Sequence, residues 1–240
     1  RGFPSLLPPL KKDEILEVSK IYSVAGLLKN KKYMTMSPFR SPHHTTSKVG
    51  LIGGGSIPKP GEISLAHRGV LFLDELPEFP RSTLEALRQP IEDGSISISR
   101  ASGSLKFPSK FLLVAASNPC PCGYLGHPKK ACRCTPGFII KYKKRVSGPL
   151  LDRIDLNVIV PPVDEIKLME KGDAENSYEI RKRVIKARER QSIRFENKKV
   201  KTNGEMNSSD VYKLCKIEDK ATELLKQAIS RFSMSARSYM

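Results

Sequence analysis

The sequence predicts an α/β fold in which a parallel sheet is flanked by helices and followed by a smaller, all-helical domain. Three observations carry this expectation. Two short continuous apolar runs, Gly69–Leu73 and Phe111–Ala116, have the pattern of buried parallel strands. A helical pattern lies between them, which is the alternation a parallel sheet requires. From about residue 176 onward the patterns are helical only.

The elements follow in order. Asp13 to Leu28 carries Ile15, Leu16, Val18, Ile21, Val24 and Leu27 at near-helical period, which predicts a helix. Lys29 to Ile63 is rich in Gly, Pro, Ser, Thr and His and reads as a loop. After the first strand, Ser82-x-x-Glu85 has capping-box spacing, and Leu84, Leu87 and Ile91 continue one apolar face until Gly94. Ser95 to Ser99 alternates with period two, and Lys106-Phe107 lies beyond Ala-Ser-Gly-Ser, so the pair reads as a hairpin. A third strand is expected at Leu156 to Val160, closed by Pro161-Pro162. Helices are expected over Tyr178–Phe195, Ser209–Lys216 and Glu218–Phe232, with another starting near Ser235. The expected domains are residues 1–162 and 163–240.

The chain has 240 residues and 39% hydrophobic content, enough for an ordinary core. Forty-two Lys and Arg against 25 Asp and Glu give a net charge of +17, a field that favours polyanions and makes nucleic acid the leading partner. A Lys-rich source composition is the alternative explanation. There is neither a membrane-length apolar window nor a secretory signal, so a cytoplasmic setting is expected. Arg1 is not an initiator Met and the sequence stops mid-pattern at Tyr239-Met240, so both ends are expected to be cuts through a longer protein. Five Cys in a reducing compartment argue against a disulfide scaffold.

The candidate chemistry sits at strand ends. Val70 to Leu73 runs into Asp74 and Glu75, and ligands of open α/β sheets bind beyond the strand C-termini. There Asp74 could hold Mg²⁺ through water while Glu75 orients and deprotonates a nucleophilic water. The competing reading is an acidic pair that ends a strand and solvates a turn. Phe111 to Ser117 leads to Asn118, whose amide can bond both a γ-phosphate and the attacking water, or can simply start a turn with Pro119. Arg153, between Asp152 and Asp155, suits phosphoryl charge; a local salt bridge to either acid is the alternative.

Cys120-x-Cys122 is followed after nine residues by Cys132-x-Cys134, with His127 between them. Four thiols on a Gly/Pro-rich loop suit a structural tetrahedral Zn²⁺, the alternative being four reduced thiols on a surface loop. Cys215, on an amphipathic helix, reads as core packing. His43-His44 offers a possible metal pair, but adjacent side chains diverge in extended chain, and histidines merely hydrogen-bonded in the loop are the competing reading. Lys129–Arg145 holds seven basic residues and no acid.

Four long stretches together resemble the magnesium-chelatase-like AAA+ family, ComM type: Phe39-Arg-Ser-Pro-His43-His44-Thr, Pro60-Gly-Glu62 through Asp74-Glu75-Leu-Pro-Glu-Phe, Ala116-Ser-Asn-Pro-Cys-Pro-Cys122-Gly, and Gly148-Pro-Leu-Leu-Asp-Arg153-Ile-Asp155-Leu. The resemblance implies ATP and Mg²⁺ as cofactors, with Asp74 and Glu75 as the Walker B acids, Asn118 as sensor 1 and Arg153 as an arginine finger acting in trans. It places Ser235-Ala-Arg237 in the sensor 2 region, contacting nucleotide. It makes Ser95–Phe107 a hairpin directed into a ring pore, so that Arg100 and Lys106 are the candidate DNA contacts. The implied function is an ATP-hydrolysing, homo-oligomeric ring motor, a hexamer, doing helicase-like or branch-migration work on DNA.

One departure is large. The family's Gly-rich loop ending in Gly-Lys-Ser/Thr is expected just before Pro4, and Gly53-Gly-Gly55 has neither its spacing nor its Lys. The implied activity therefore belongs to the parent protein, and the 240-residue chain alone is expected to be inactive. Two rival readings stand beside it: a chelatase-type motor driving metal insertion through a protein partner, and a non-catalytic, zinc-stabilised nucleic-acid module.

Overall fold

A computed structural model describes residues 2–100, 103–162, 175–198 and 200–232. The chain divides into two compact units, Arg1–Ser177 and Tyr178–Met240. In the first unit the described elements are α1 (Phe3–Leu6), α2 (Lys12–Val24), β1 (Phe39–Arg40), α3 (Lys48–Ile52), β2 (Gly53–Gly54), β3 (Lys59–Pro60), α4 (Glu62–Leu65) and β4 (Val70–Leu73). They continue with α5 (Arg81–Glu85), α6 (Arg88–Asp93), β5 (Ser95–Arg100), β6 (Gly103–Pro108), β7 (Leu112–Ala115), α7 (Pro136–Lys143) and α8 (Gly148–Leu151).

The central sheet is parallel, in the order β1-β4-β7, with Phe39 opposite Val70 and Leu73 opposite Ala115. Leu71 and Leu73 point to one face, with Leu113 and Ala115 beside them, and enter a core shared with Leu84 and Leu87. Full burial of each such Leu is worth about 1.5–3 kcal/mol. The opposite face is thinner: Phe72 stacks on Phe39 at 6.2 Å between ring centroids, and Leu112 is 46% exposed. Gly69 lets the chain before β1 close onto β4, because a Cβ there would stand 2.0 Å from the Pro38 carbonyl oxygen.

The hairpin forms as expected, with β5 and β6 antiparallel and Ile96 opposite Phe107. The single helix expected from Ser82 to Gly94 is instead two, α5 and α6. Pro90 lacks the N–H that would bond the Ala86 carbonyl, and Ser82 lies inside α5 rather than at its cap, so no capping box forms. Gly94 does end the pattern, in the left-handed conformation at φ 60°.

The expected strand at Leu156–Val160 is absent. Those residues carry no ladder, and Leu156, Val158, Ile159 and Val160 are 80–94% exposed. An apolar run becomes a strand only against a neighbouring edge, and none adjoins it among the described residues. The third strand is β1, from the segment read as loop; at two residues it leaves no periodic signal.

α2 is fastened to the sheet by a buried network. The His67 Nδ1 accepts from the Lys110 N–H at 3.0 Å, which leaves Nε2–H to donate to Glu17 at 3.1 Å. Arg68 Nε donates to the same Glu17 oxygen at 2.9 Å. Burial pushes His67 below the ordinary imidazole range against the pull of Glu17. For Glu17, burial works upward, but hydrogen bonds from Arg68 and His67 win and hold its carboxyl below the usual range.

The second unit is helical, with helices over Ser177–Arg194, Ser208–Leu214 and Asp219–Phe232. Asn207 accepts from the Asp210 N–H at 2.9 Å while Asp210 accepts from the Asn207 N–H at 3.3 Å, a closed capping box. Cys215, expected in the core, is exposed just beyond the helix it caps, its position at the helix end taking it off the helix's packed face. The helix expected near Ser235 lies outside the described residues.

Candidate active site

Parallel register brings the first candidate group together. Because β4 and β7 end side by side, Asp74 and Glu75 leave the same C-terminal sheet edge as Ala116 to Asn118, and Asp74, Glu75 and Asn118 are all exposed there. The Leu76 N–H donates to the Ala116 carbonyl at 2.9 Å, stitching the two strand exits. Glu75 is in the left-handed conformation, φ 50° and ψ 48°, at the head of a tight turn over Leu76–Glu78. A non-glycine residue there costs of order 1 kcal/mol and is held by its surroundings, here the burial of Leu76 and Phe79. The Glu75 N–H donates to Asp74 Oδ1 at 2.9 Å, fixing one oxygen of that carboxylate.

Three further groups line this edge. His44 Nδ1 lies 3.2 Å from Glu75 Oε2. Tyr142, on α7, is buried with its hydroxyl bonded to Ser117; burial, with the Glu78 and Glu75 carboxylates, raises it above the ordinary phenol range. Arg145 donates to Glu78 at 2.6 Å and to the Pro77 carbonyl at 3.2 Å, bracing the turn after Glu75.

The second group is the four-thiol loop. The sulfurs of Cys120, Cys122, Cys132 and Cys134 all lie within 4.8 Å of one another, with three of the separations at 3.4, 3.7 and 3.7 Å. A tetrahedron with Zn–S bonds of about 2.3 Å has S–S edges of about 3.8 Å, so this donor set fits the ion. Hydrogen bonds from the Tyr124 and Arg133 backbone lower the Cys122 thiol to about 6. For Cys134 a backbone bond from Cys122 works downward, but burial and the neighbouring thiols outweigh it and push it up to about 12. His127 is not part of the cluster: its Nδ1 accepts from the Lys129 and Lys130 N–H groups at 3.1 Å each.

Two family models match: that of the magnesium chelatase subunit ChlI over residues 1–168, and that of its C-terminal part over residues 174–240. The chain belongs to the magnesium chelatase ChlI family. It is 44% identical to competence protein ComM of Haemophilus influenzae over 98% of this chain and 45% of the relative, and 44% identical to YifB of Escherichia coli over the same shares. A distant match, 26% identical over 73% of this chain and 20% of the relative, is the DNA replication licensing factor mcm-6 of Caenorhabditis briggsae. The chain thus spans somewhat under half the length of the curated ComM and YifB relatives. The ChlI family is AAA+-like, which agrees with the parallel sheet and helical segment described above.

Set against that family pattern, the remaining expected residues separate. Arg153 is 10% exposed and bonds Glu92 on α6 and the Pro149 carbonyl, rather than Asp152 or Asp155, leaving its Nε buried without a partner among the described residues. Lys106 lies opposite Ser97 on the solvent face of the hairpin, whose other face buries Ile96, Ile98 and Phe107. Arg100 ends β5 opposite Gly103; its side chain, and Arg237 entirely, lie outside the described residues. The family resemblance puts His43-His44 in a loop near the nucleotide or pore, but which residue His44 meets was not readable from sequence. Its signal was weak, a His-His pair following a strand too short to read. Among the described residues, no helix is long and apolar enough to cross a membrane.

Proposed function

We propose that the whole protein is an ATP-hydrolysing AAA+ ring motor that acts on DNA, and that the Asp74, Glu75 and Asn118 edge is its hydrolytic half-site. What carries this reading is the convergence of Asp74, Glu75 and Asn118 at the paired ends of β4 and β7. Two carboxylates and an amide at one sheet edge form an oxygen-rich donor set of the kind that hard cations and phosphates take. Asp74 would hold a hydrated Mg²⁺, which when bound neutralises charge on the ATP phosphates. Glu75 accepts a proton from the water that attacks the γ-phosphorus as the bond to the leaving ADP oxygen breaks. Asn118 orients that water and the γ-phosphate through its amide. The Gly-rich, Lys-bearing loop that grips phosphates does not occur in these 240 residues, so the activity is assigned to the longer protein.

DNA as the cargo is supported by the net charge of +17, by Lys106 on the solvent face of the hairpin and by the distant similarity to a DNA replication licensing factor. A homo-oligomeric, hexameric ring would let Arg153 act on a neighbour's nucleotide, for which it must leave Glu92. Nucleotide contact by Arg237 and DNA contact by Arg100 belong to the same proposal, as does Zn²⁺ held by the four thiols. A chelatase-type motor working through a protein partner is the second reading, favoured by the name of the matching family. In the full-length protein, Glu75→Gln should keep ATP binding and lose ~10²–10⁴ in hydrolysis rate, the usual worth of a general base. Turnover within a few-fold of wild type at saturating ATP would overturn the assignment.

A further inference from the structure

We propose that the groove between α7 and the turn that follows Glu75 binds the phosphate backbone of a single DNA strand, as a contact surface separate from the hairpin of β5 and β6. The inference rests on the reading of DNA as the protein's cargo and names a second place where the chain grips it. The observation that carries it is a groove of about 610 Å³ lined by Arg81, Lys141, Lys144 and Arg145, with Glu78 as its one acid.

Two elements build the groove. α7 turns Tyr142 inward, in step with half-buried Ile139 and with buried Val146 just beyond the helix. Gly137, Ile140, Lys141 and Lys144 recur at i, i+3, i+4 and i+7 and line the groove together. That spacing makes one helix face, which on a helix packed against a core is apolar. Here it carries two ammonium groups beside Ile140, which is 54% exposed. The opposite wall is the turn after β4, which leads through buried Phe79 into Arg81 at the start of α5.

Glu78 does not neutralise this surface, because its carboxylate is taken by Arg145 at 2.6 Å. That leaves Arg81, Lys141 and Lys144, all exposed and none in an ion pair among the described residues. Arg81 lies in the field of Glu85 one turn along α5, but that carboxylate already bonds Arg88 at 3.0 Å. The helix dipole accounts for lysines in the last turn of α7, Lys143 among them. It does not account for Arg81, which occupies the first position of α5, where a dipole disfavours a cation. Cations that converge on one groove from two elements repel one another, and an anion between them relieves the repulsion. Charged heads around an apolar floor of Phe79 and Ile140 match a nucleic-acid strand, in which phosphates alternate with sugars. An acidic peptide would also offer anions. A nucleic acid is favoured because Lys129 to Arg145 holds seven basic residues and no acid, in a chain of net charge +17. The volume is that of a small-ligand site, roughly 300–1,000 Å³, so the groove takes a few nucleotides of one strand.

Arg81→Gln, Lys141→Gln and Lys144→Gln, singly and together in the full-length protein, remove charge and keep a polar side chain; Arg145 stays, because it braces the turn after Glu75. Lys143→Gln is the matched control, exposed on the same helix but outside the groove. Binding of a labelled oligothymidine strand is followed by fluorescence anisotropy over a series of salt concentrations. All the substituted side chains are exposed, so denaturation midpoints should match wild type, and the single variants carry the test should the triple variant be destabilised. Each phosphate contact on a single strand contributes about 0.7 to the slope of log K against log salt, so each groove variant should lower its magnitude by about 0.7, the triple variant by about 2, and Lys143→Gln far less. A triple variant with the wild-type slope would leave the groove a solvated face. An equal loss in Lys143→Gln would reduce the effect to overall charge and overturn the groove as well. A wild-type DNA slope together with lost binding of polyglutamate would make the groove a docking site for an acidic protein instead. If the wild-type protein binds no DNA, the reading of DNA as cargo fails and takes this inference with it; if it binds DNA and Lys106→Gln weakens binding while the triple variant does not, only the inference about the groove fails.

Discussion

The sheet edge that carries Glu75 and the loop that carries the four thiols present functional groups with similar closeness, yet their geometry has different sources. Behind Glu75 stand Leu71, Leu73, Leu76 and Phe79, all less than 5% exposed, so the turn is positioned by apolar area removed from water. Within the Cys loop only Cys120 is buried, while Tyr124 and Leu125 are 39% and 36% exposed. Such a segment has little apolar area to hold one conformation against the chain entropy of about 1–2 kcal/mol per residue. The edge is thus shaped by its core before any ligand arrives, whereas the loop has little core of its own to shape it.

Leu73→Ala should disrupt the sheet edge most severely. This side chain is fully buried directly before Asp74, and its truncation should cost ~2–5 kcal/mol, read as a lowered denaturation midpoint of the first unit. Any zinc held by the proposed four-thiol site should be retained in whatever fraction stays folded, because no core residue around Leu73 contributes a sulfur. A loss below about 1 kcal/mol would mean that the edge is not held by burial.

Metal analysis sharpens the other side. The protein purified without chelators should carry about one zinc per chain, and Cys122→Ser or chelation should release it. Release should accelerate proteolysis around residues 123–131 and shift the melting of the unit by less than Leu73→Ala does. Four freely titrating thiols in the folded protein, with no stoichiometric zinc, would make the cluster an ordinary reduced loop.

The smallest effect concerns the tether between α2 and the sheet. His67 has its folded pKa lowered from 6.5, with Glu17, Arg68 and Lys110 facing it. The unfolded chain therefore takes up a proton that the folded chain resists. The stabilising contribution is present above about pH 6.5 and is lost as pH falls below it toward the folded value. Denaturation midpoints measured between pH 7.5 and 5.5 should fall with acidification, by at most about 1.4 kcal/mol per pH unit for this one proton. His67→Asn, which keeps an acceptor for the Lys110 N–H, should flatten that slope. An unchanged slope would assign the pH dependence to other groups.

Much of this was legible because the signals are local. Val70–Leu73 and Phe111–Ala116 advertise buried strands through unbroken apolar runs, and the Ser95–Phe107 hairpin through alternation; the structure has strands at Val70–Leu73, Leu112–Ala115, Ser95–Arg100 and Gly103–Pro108. Four cysteines in fifteen residues announce their own convergence, since so short a loop keeps thiols near one another. Leu156–Val160 misled for the complementary reason: its composition suits a strand, but strand formation depends on an adjoining edge that composition does not encode.

Local sequence therefore specifies the elements with periodic or contiguous patterns, the acids at the end of β4, the Asn beyond β7 and the sulfur-rich loop. Folding in three dimensions selects which distant residues meet: β1 beside β4 through two residues, His44 against Glu75, His67 against Glu17, and Arg153 against Glu92 rather than its acidic neighbours in sequence. The physical reason is that apolar periodicity is written into each segment. A hydrogen-bond partner 30 to 60 residues away is chosen only when sheet register and core packing bring two surfaces to within about 3 Å.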